Sequence, residues 1–529
     1  MTQAMLLLFE ELRRKFGEQV DSIRAERDDE IYILLRDADV RFIAKFLIGS
    51  YEARLVEVFT EDRVSDEGVF YNYYVFEQRG DHRYLILQLP IADDDLRFAS
   101  LAADFPAVNW QEREIQDWFG LRPIGHPNPR RVALHDNWPR VWPLRKDFPV
   151  DALLPPFEGE QHVYRPTLGE GVFQVPVGPV HAGVIEPGHF NFAVAGEPIL
   201  YLQLRLFYTH KGTEKRFEHL TIPRAVFLAE SISGDSSFSH GTAFCQAIER
   251  AASIELPPRA QMMRTILLEL ERIYNHVADI GAIATDVGFV VANAHAGNLR
   301  EMMVGLNEQL TGSRLLRGMV CVGGVRAAWD SVEVDTLRRT LDEFQKDFED
   351  LVALVRTSES TRDRLERTGI LSPEKARDLG IVGVAGRASG VNLDVRRDHP
   401  YAGYKRLSFR VPLYTAGDVL HRMQVRIDEV RESLGIIRAA SEQISSGDHC
   451  VPVPSVPPGV CALSAVEGWR GEIIHWIRTG PGNRLKRCRI KDPSVNNWPA
   501  LVEAVQGNII ADFPVINKSF NLSYSGTDR

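Results

Sequence analysis

The sequence predicts an α+β protein in two parts, and three observations carry that prediction. From Glu30 to Leu89, short β-branched and aromatic runs (Ile31–Leu35, Val69–Phe76, Tyr84–Leu89) alternate with helical patterns, as in a small α+β domain. From about Ile222 to Gln443, long stretches with apolar residues at helical spacing dominate, as in a helix bundle. Between them lies Asn128–Pro156, rich in Pro, Trp and Arg, whose prolines exclude regular structure and suggest an extended arm lying on a neighbour. The expected parts are an N-terminal domain over 1–127, an arm and linker over 128–165, and a helix-bundle domain with small β elements over 166–529.

The elements follow in order. Met1–Gly17 has Met5, Leu6, Leu8, Phe9, Leu12 and Phe16 on one helical face; its apolar run is too short and its flank too acidic for a signal peptide. After the arm, Phe190–Val194 and Ile199–Tyr208 read as strands joined at Gly196 and Glu197. The helices expected in the bundle include Arg259–Gly281, Leu299–Leu310, Val332–Thr357 and Val419–Gln443. Val332–Thr357 is heavily charged on one face, which suits the solvated outside of a bundle. Val451–Arg529, with prolines at 452, 454, 457 and 458, is expected to return to strand and loop.

Composition excludes several function classes. A chain of 529 residues, 44% of them hydrophobic, can bury more than one core. Its net charge of −10 is spread without a basic block, which leaves no footprint for nucleic acid. The five cysteines are scattered, with no C-x-x-C among them, and fit free thiols in a reducing compartment. No run approaches the ~20 apolar residues of a membrane span; the nearest, Ile280–Ala294, carries Asp286. A cytoplasmic protein is expected, touching a membrane only through partners.

Several blocks carry candidate chemistry. Glu112–Gly120, followed by His126, Arg130 and Val132, reads from its residues as a charged helix turn beside a basic arm, either a solvated surface or a site. Gly178–Phe190 is a tight Gly/Pro loop bearing His181, Glu186 and His189, groups that pass protons near neutral pH, although single histidines are as often satisfied loop residues. Asp286 stands among Ile280, Ile283, Val287, Phe289 and Val290, a setting that raises a carboxyl pKa unless the group is hydrogen-bonded. Gly386–Gly390 with Arg387, and Val466–Glu472 with Arg470, are further Gly- and charge-bearing blocks; no phosphate-binding glycine loop occurs in the sequence.

Together these blocks resemble the fused C and D subunits of complex I and, over nearly the whole chain, the large subunits of membrane-bound nickel-iron hydrogenases of the hydrogenase-4 and formate hydrogenlyase type. Trp118 is a soft departure, where the complex I relatives have an aliphatic residue, Phe or Tyr. In the hydrogenases, two segments matching Glu230–His240 and Asn521–Arg529 each carry a Cys-x-x-Cys pair that holds nickel. Here Ser233, Ser236, Ser523 and Gly526 stand at those positions. A neutral hydroxyl is a hard, weak donor for such a centre. The resemblance therefore implies the frame of a hydrogenase without its metal, and a chain ending at Asp528-Arg529 is expected to have no tail to cleave.

The resemblance also implies roles and partners. Glu186 corresponds to a glutamate that passes protons, Asp286 to a partner of the quinone-site histidine, and Arg470 to an arginine overhanging the metal. Glu186, Asp286, Arg387 and Arg470 are expected to line one cavity, with His181 and His189 beside an acceptor. A quinone could still enter, but Ile185 and Gly234 replace the histidine and tyrosine that contact it in relatives. The chain itself is expected to bind no cofactor, iron-sulfur clusters residing in an iron-sulfur small-subunit partner. The expected role is the large subunit of a respiratory-type redox complex, peripheral on the cytoplasmic face of the inner membrane, docked to membrane-embedded antiporter-like subunits. The alternatives are a purely structural coupling role and, at the cost of replacing four thiolates by harder groups, an active hydrogenase.

Overall fold

The computed structural model describes residues 3–36, 39–134, 136–154, 162, 164, 166, 169–182 and 185–529. Parts of the expected linker (155–161, 163, 165) and two loop positions (183, 184) lie outside the described residues.

The N-terminal region is built on a five-stranded sheet ordered Val20–Arg27, Glu30–Leu35, Arg83–Ala92, Val69–Gln78, Arg54–Arg63. Glu30–Leu35 and Arg83–Ala92 pair in parallel and the other neighbours antiparallel. Side chains alternate between the faces of a strand, and here both faces are apolar. Ile31, Ile33, Tyr74, Phe76, Leu85 and Leu87 pack with Val40, Ile43 and Leu47 of the Val40–Tyr51 helix, and with Leu8 and Leu12 of the Gln3–Phe16 helix. Tyr32, Phe59, Tyr73, Val75 and Ile86 point the other way, into the core of the C-terminal region. There the Trp476 ring lies tilted against Phe59 and Tyr73, and its indole N–H donates to the Tyr32 hydroxyl (2.9 Å). The continuous apolar runs of these strands thus reflect a sheet covered on both sides.

The C-terminal region centres on the Pro258–Asp286 helix, packed against Val290–Thr311 and Val419–Glu442. Met262, Ile266, Ile273 and Val277 form its buried apolar stripe, as their spacing predicts. Ser331–Thr357 closes the bundle; its Asp330 and Glu333 form a reciprocal cap that satisfies the first free amides. A three-stranded antiparallel sheet, Cys461–Gly468, Gly471–Gly480 and Arg484–Lys491, joins the two regions.

Two expectations change. The last 79 or so residues are not only strand and loop: Pro493–Ala504, Phe513–Phe520 and Tyr524–Thr527 are helices. Pro493 and Pro514 occupy the first turns of the first two, where no N–H bond is lost, while the prolines at 452, 454, 457 and 458 do lie in loop. The charged helix Asn109–Phe119 is not a solvated surface either, because Glu112, Glu114 and Asp117 are buried. Asp117 accepts the backbone N–H groups of Val132, Ala133 and Leu134, pinning the arm (2.8–3.3 Å). Glu114 accepts from Arg489 (2.9 Å) and Arg529 (2.7 Å), tying the helix to the C-terminus.

Candidate functional site

The Gly178–Gly188 loop, the turn before the Ser237–Ala251 helix, the Gly468–Gly471 hairpin turn and the last two helices converge on one cavity of about 560 Å³. Its lining includes His181, Glu186, Asp235, Asp286, Arg470 and Lys518. The loop is drawn inward at two points. His181 Nε2–H donates to the Gly188 carbonyl (2.7 Å), and Glu186 Oε2 accepts the Ser525 N–H (3.0 Å), which ties the loop to the C-terminal segment.

Arg470 is positioned from below and from the sides. A Cβ on Gly383 would fall 1.8 Å from the Arg470 carbonyl, and Gly383 has φ +64°, so only glycine allows the hairpin turn to sit this deep. The guanidinium lies 3.9 Å from the Trp469 ring centre. Its Nη1 and Nη2 each donate to Asp235 at 2.6 Å, Nη1 reaches Ser236 Oγ (3.3 Å), and Nε donates to the Asn521 carbonyl. Asn521 in turn donates from its side chain to Asp279 (2.6 Å). Enclosure by protein raises the Asp235 pKa, but Arg470 more than offsets it and holds the carboxyl below its ordinary value. The Asp235 side chain nonetheless remains 42% exposed, so this bidentate pair borders the cavity and is not sealed in.

The positions where the resemblance places nickel ligands do not fit such a metal. Ser233 Oγ donates to Asp235 Oδ1 (2.8 Å) and lies 2.8 Å from Ser523 Oγ, which accepts the Gly526 N–H (2.9 Å). The hydroxyls are thus committed to one another and to a carboxylate. A Cβ on Gly526 would come 2.6 Å from the Asp492 carboxylate, so a side chain at the fourth position fits only if that carboxylate moves away from its present partners. Among the described residues, no group of three or more His, Cys, Asp or Glu is arranged to hold a metal ion.

The remaining expected residues divide. Asp286 ends its helix at the cavity rim; its side chain reaches solvent, yet crowding by protein raises its pKa, partly countered by Lys518. His189 is not part of the lining: its Nδ1 accepts from the Tyr164 hydroxyl (2.9 Å), and burial, then Arg205, depress its pKa. Arg387 does not line the cavity, contrary to expectation. It is fully buried, donating to Glu429 (2.8 Å), Glu467 (2.8 Å) and the Leu393 carbonyl (3.0 Å). A glycine-rich block signals close backbone packing, and here that packing encloses a structural charge cluster. Sequence reasoning missed Asp235 and Lys518. Asp235 had a signal: it is the one charge in the stretch Ser231–Ser239, set in a Gly-Asp turn between the two serines.

Comparison with known proteins matches this architecture. Residues 33–153 match the family model for the respiratory-chain NADH dehydrogenase 30 Kd subunit, and residues 286–529 that for the 49 Kd subunit. Formate hydrogenlyase subunit 5 of Escherichia coli is 33% identical, over 95% of this chain and 89% of that protein. The C/D subunit of NADH-quinone oxidoreductase from Phocaeicola vulgatus is 33% identical, over 81% of this chain and 86% of that protein. A chain of the membrane-bound sulfane sulfur reductase, an archaeal respiratory membrane complex, superposes with a TM-score of 0.65 at 27% identity, covering 69% of this chain and all of that one. Among the described residues no helix is long and apolar enough to cross a membrane. With both halves matched and a third of its residues shared along nearly its full length, this chain belongs to the family of fused 30 Kd/49 Kd-type large subunits of membrane-bound respiratory and hydrogenase complexes.

Proposed function

We propose that this protein closes a cavity where electrons from an iron-sulfur partner meet protons, and that it does so without a nickel-iron centre. The observation that carries the reading is the Asp235–Arg470 clamp. Where the resemblance puts a metal and its overhanging arginine, this chain keeps the arginine, supplies a carboxylate for it, and leaves both facing a cavity of about 560 Å³. A scaffold would have no reason to keep a partly open ion pair, since a pair held at a cavity wall stabilises little.

In this reading Arg470 orients and neutralises an anionic or carbonyl-bearing acceptor, and Asp235, Glu186 and Asp286 exchange protons with it. His181 shapes the loop over the site. The acceptor is a small redox compound, a quinone or a sulfane sulfur species, the classes named by the relatives. The iron-sulfur partner and the membrane-embedded arm, peripheral docking to the cytoplasmic face of the membrane included, are carried over from the family. Metal analysis of the native complex tests the core of this: iron without nickel per copy of the chain is expected. Stoichiometric nickel would overturn the reading.

A further inference from the structure

A buried polar chain reaches the cavity from behind Arg470. Arg426, on the Val419–Glu442 helix, donates from Nε to Asp279 Oδ2 (2.8 Å), and both side chains are no more than 5% exposed. Asp279, on the Pro258–Asp286 helix, accepts from the Asn521 side-chain amide through Oδ1 (2.6 Å). A carboxylate paired with an arginine has no hydrogen to give, so the amide must present Nδ2–H, which fixes its orientation. Asn521 closes the Phe513–Phe520 helix with φ +44°, in the left-handed region that asparagine tolerates best after glycine. Its carbonyl accepts the Nε–H of Arg470. The chain therefore runs from Arg426 through Asp279 and Asn521 to the guanidinium on the cavity wall.

A guanidinium carries five N–H groups in a rigid plane. Nε gives its one to Asn521, Nη1 gives one to Asp235 and one to Ser236, and Nη2 gives one to Asp235. The second N–H of Nη2 has no partner among the described residues. In the planar group it lies on the same edge as Nε–H, beside the Asn521 carbonyl, and both Arg470 and Asn521 line the cavity. The end of the guanidinium that would grip a carboxylate with two bonds is already filled by Asp235. A single donor remains. Contact with the Trp469 ring restricts tilt of the guanidinium but not its rotation within its own plane. Asp235, whose side chain is 42% exposed, holds one end against that rotation, and the buried chain through Asn521 holds the other.

We propose that Asp279 and Asn521 are positioning residues, which hold Arg470 so that one N–H is presented to an acceptor offering it a single hydrogen-bonding atom, as a quinone carbonyl or a terminal sulfur does. The inference rests on the reading of the cavity as an acceptor site and adds how that site selects its occupant. Without the tie to Asp279, the Asn521 peptide is free to turn, and Nε–H loses the carbonyl that sets the direction of its edge. The free N–H of Nη2 then no longer points at one place, and the acceptor loses its anchor. A carboxylate, which asks for two parallel N–H groups, finds only one here.

The test is the reoxidation kinetics of the iron-sulfur clusters in the purified native complex, reduced with titanium(III) citrate and mixed with decylubiquinone in one arm and inorganic tetrasulfide in the other. The wild type is expected to reoxidise with one of the two at a rate that saturates, and that arm identifies the acceptor class. In Asn521→Asp two carboxylates face each other. The half-saturating concentration of that probe should then rise roughly 10-fold, the loss of one hydrogen bond to a charged donor. The maximal rate and the reduction of the clusters should stay near wild type, the split expected when binding alone is lost. Adding Asp279→Asn to Asn521→Asp exchanges donor and acceptor across the broken bond and should restore the wild-type value. If Asn521→Asp fails to assemble, Asn521→Gly, which suits the left-handed backbone and keeps the carbonyl, should show the same rise. Wild-type half-saturation in an assembled Asn521 variant, or a rise that Asp279→Asn does not reverse, would overturn the positioning role while the acceptor reading stands. Reoxidation of the wild type by neither probe would overturn both.

Discussion

Arg387 and Arg470 are both arginines held by carboxylates in the C-terminal region, and the sequence placed them in one cavity. The structure puts them in two environments. Arg387 belongs to a closed cluster with Glu429, Glu467, Asp394, Arg396, Arg272 and Glu269, each side chain no more than 2% exposed. Burial opposes the charge on Arg387, and Glu429 and Glu467 more than restore it, holding its pKa above the usual arginine value. Arg470 faces a partner that water can reach. The contrast teaches that a buried charge becomes available for chemistry only where its partner set is left open on one side; fully enclosed, the same side chain is a structural element.

The largest expected effect breaks the closed cluster. Arg387→Met leaves Glu429 and Glu467 without a main counter-charge in a dry interior, and a loss of about 3–5 kcal/mol is expected. Denaturant unfolding of the purified protein, or failure to recover it folded, checks this. Arg470→Met should cost less, roughly 1–3 kcal/mol, because water can solvate the released Asp235. It should nevertheless abolish electron transfer to the acceptor in the assembled complex. Equal stability losses for the two variants would erase the distinction between them.

A smaller effect sharpens the comparison through pH. Glu271, buried behind the cavity, accepts the N–H groups of Phe238 (2.7 Å) and Ser239 (3.1 Å) at the start of the Ser237–Ala251 helix. Burial pushes its pKa from 4.5 up to about 7, against these hydrogen bonds and with help from Asp235. A carboxyl raised in the folded state binds more protons folded than unfolded between those values. Its contribution is therefore fully present below the unfolded value and lost as pH rises through about 7. Thermal melts across this window should show that decline in the wild type and a flatter profile in Glu271→Gln. The smallest expected effect is none: restoring cysteines at Ser233, Ser236, Ser523 and Gly526 together should not bring nickel into the protein, by metal analysis. The Gly526→Cys side chain would meet the Asp492 carboxylate.

What was legible in the sequence was local or periodic. Alternating and helical patterns located the first sheet and the long helices, and the resemblance to known large subunits pointed to the cavity loop, Arg470, Asp286 and the serines at the ligand positions. The C-terminal helices were missed because the loop character of the prolines at 452–458 was extended to the whole segment, although Pro493 and Pro514 further on sit in first turns, where proline starts a helix. Arg387 was misplaced because a motif shows that backbones approach closely, not what the approach encloses.

By itself the sequence determined the two-part α+β architecture, the lack of thiolates at the cavity, and the charges available there, since these depend on residue identity and spacing along the chain. Only the tertiary structure decided that both faces of the first sheet are covered, that Asp235 answers Arg470, and that Asp492 occupies the space beside Gly526. Those contacts join residues more than 200 positions apart in the first two cases and 34 in the third. No local pattern encodes such meetings; they arise when burial of the apolar surface brings the segments together.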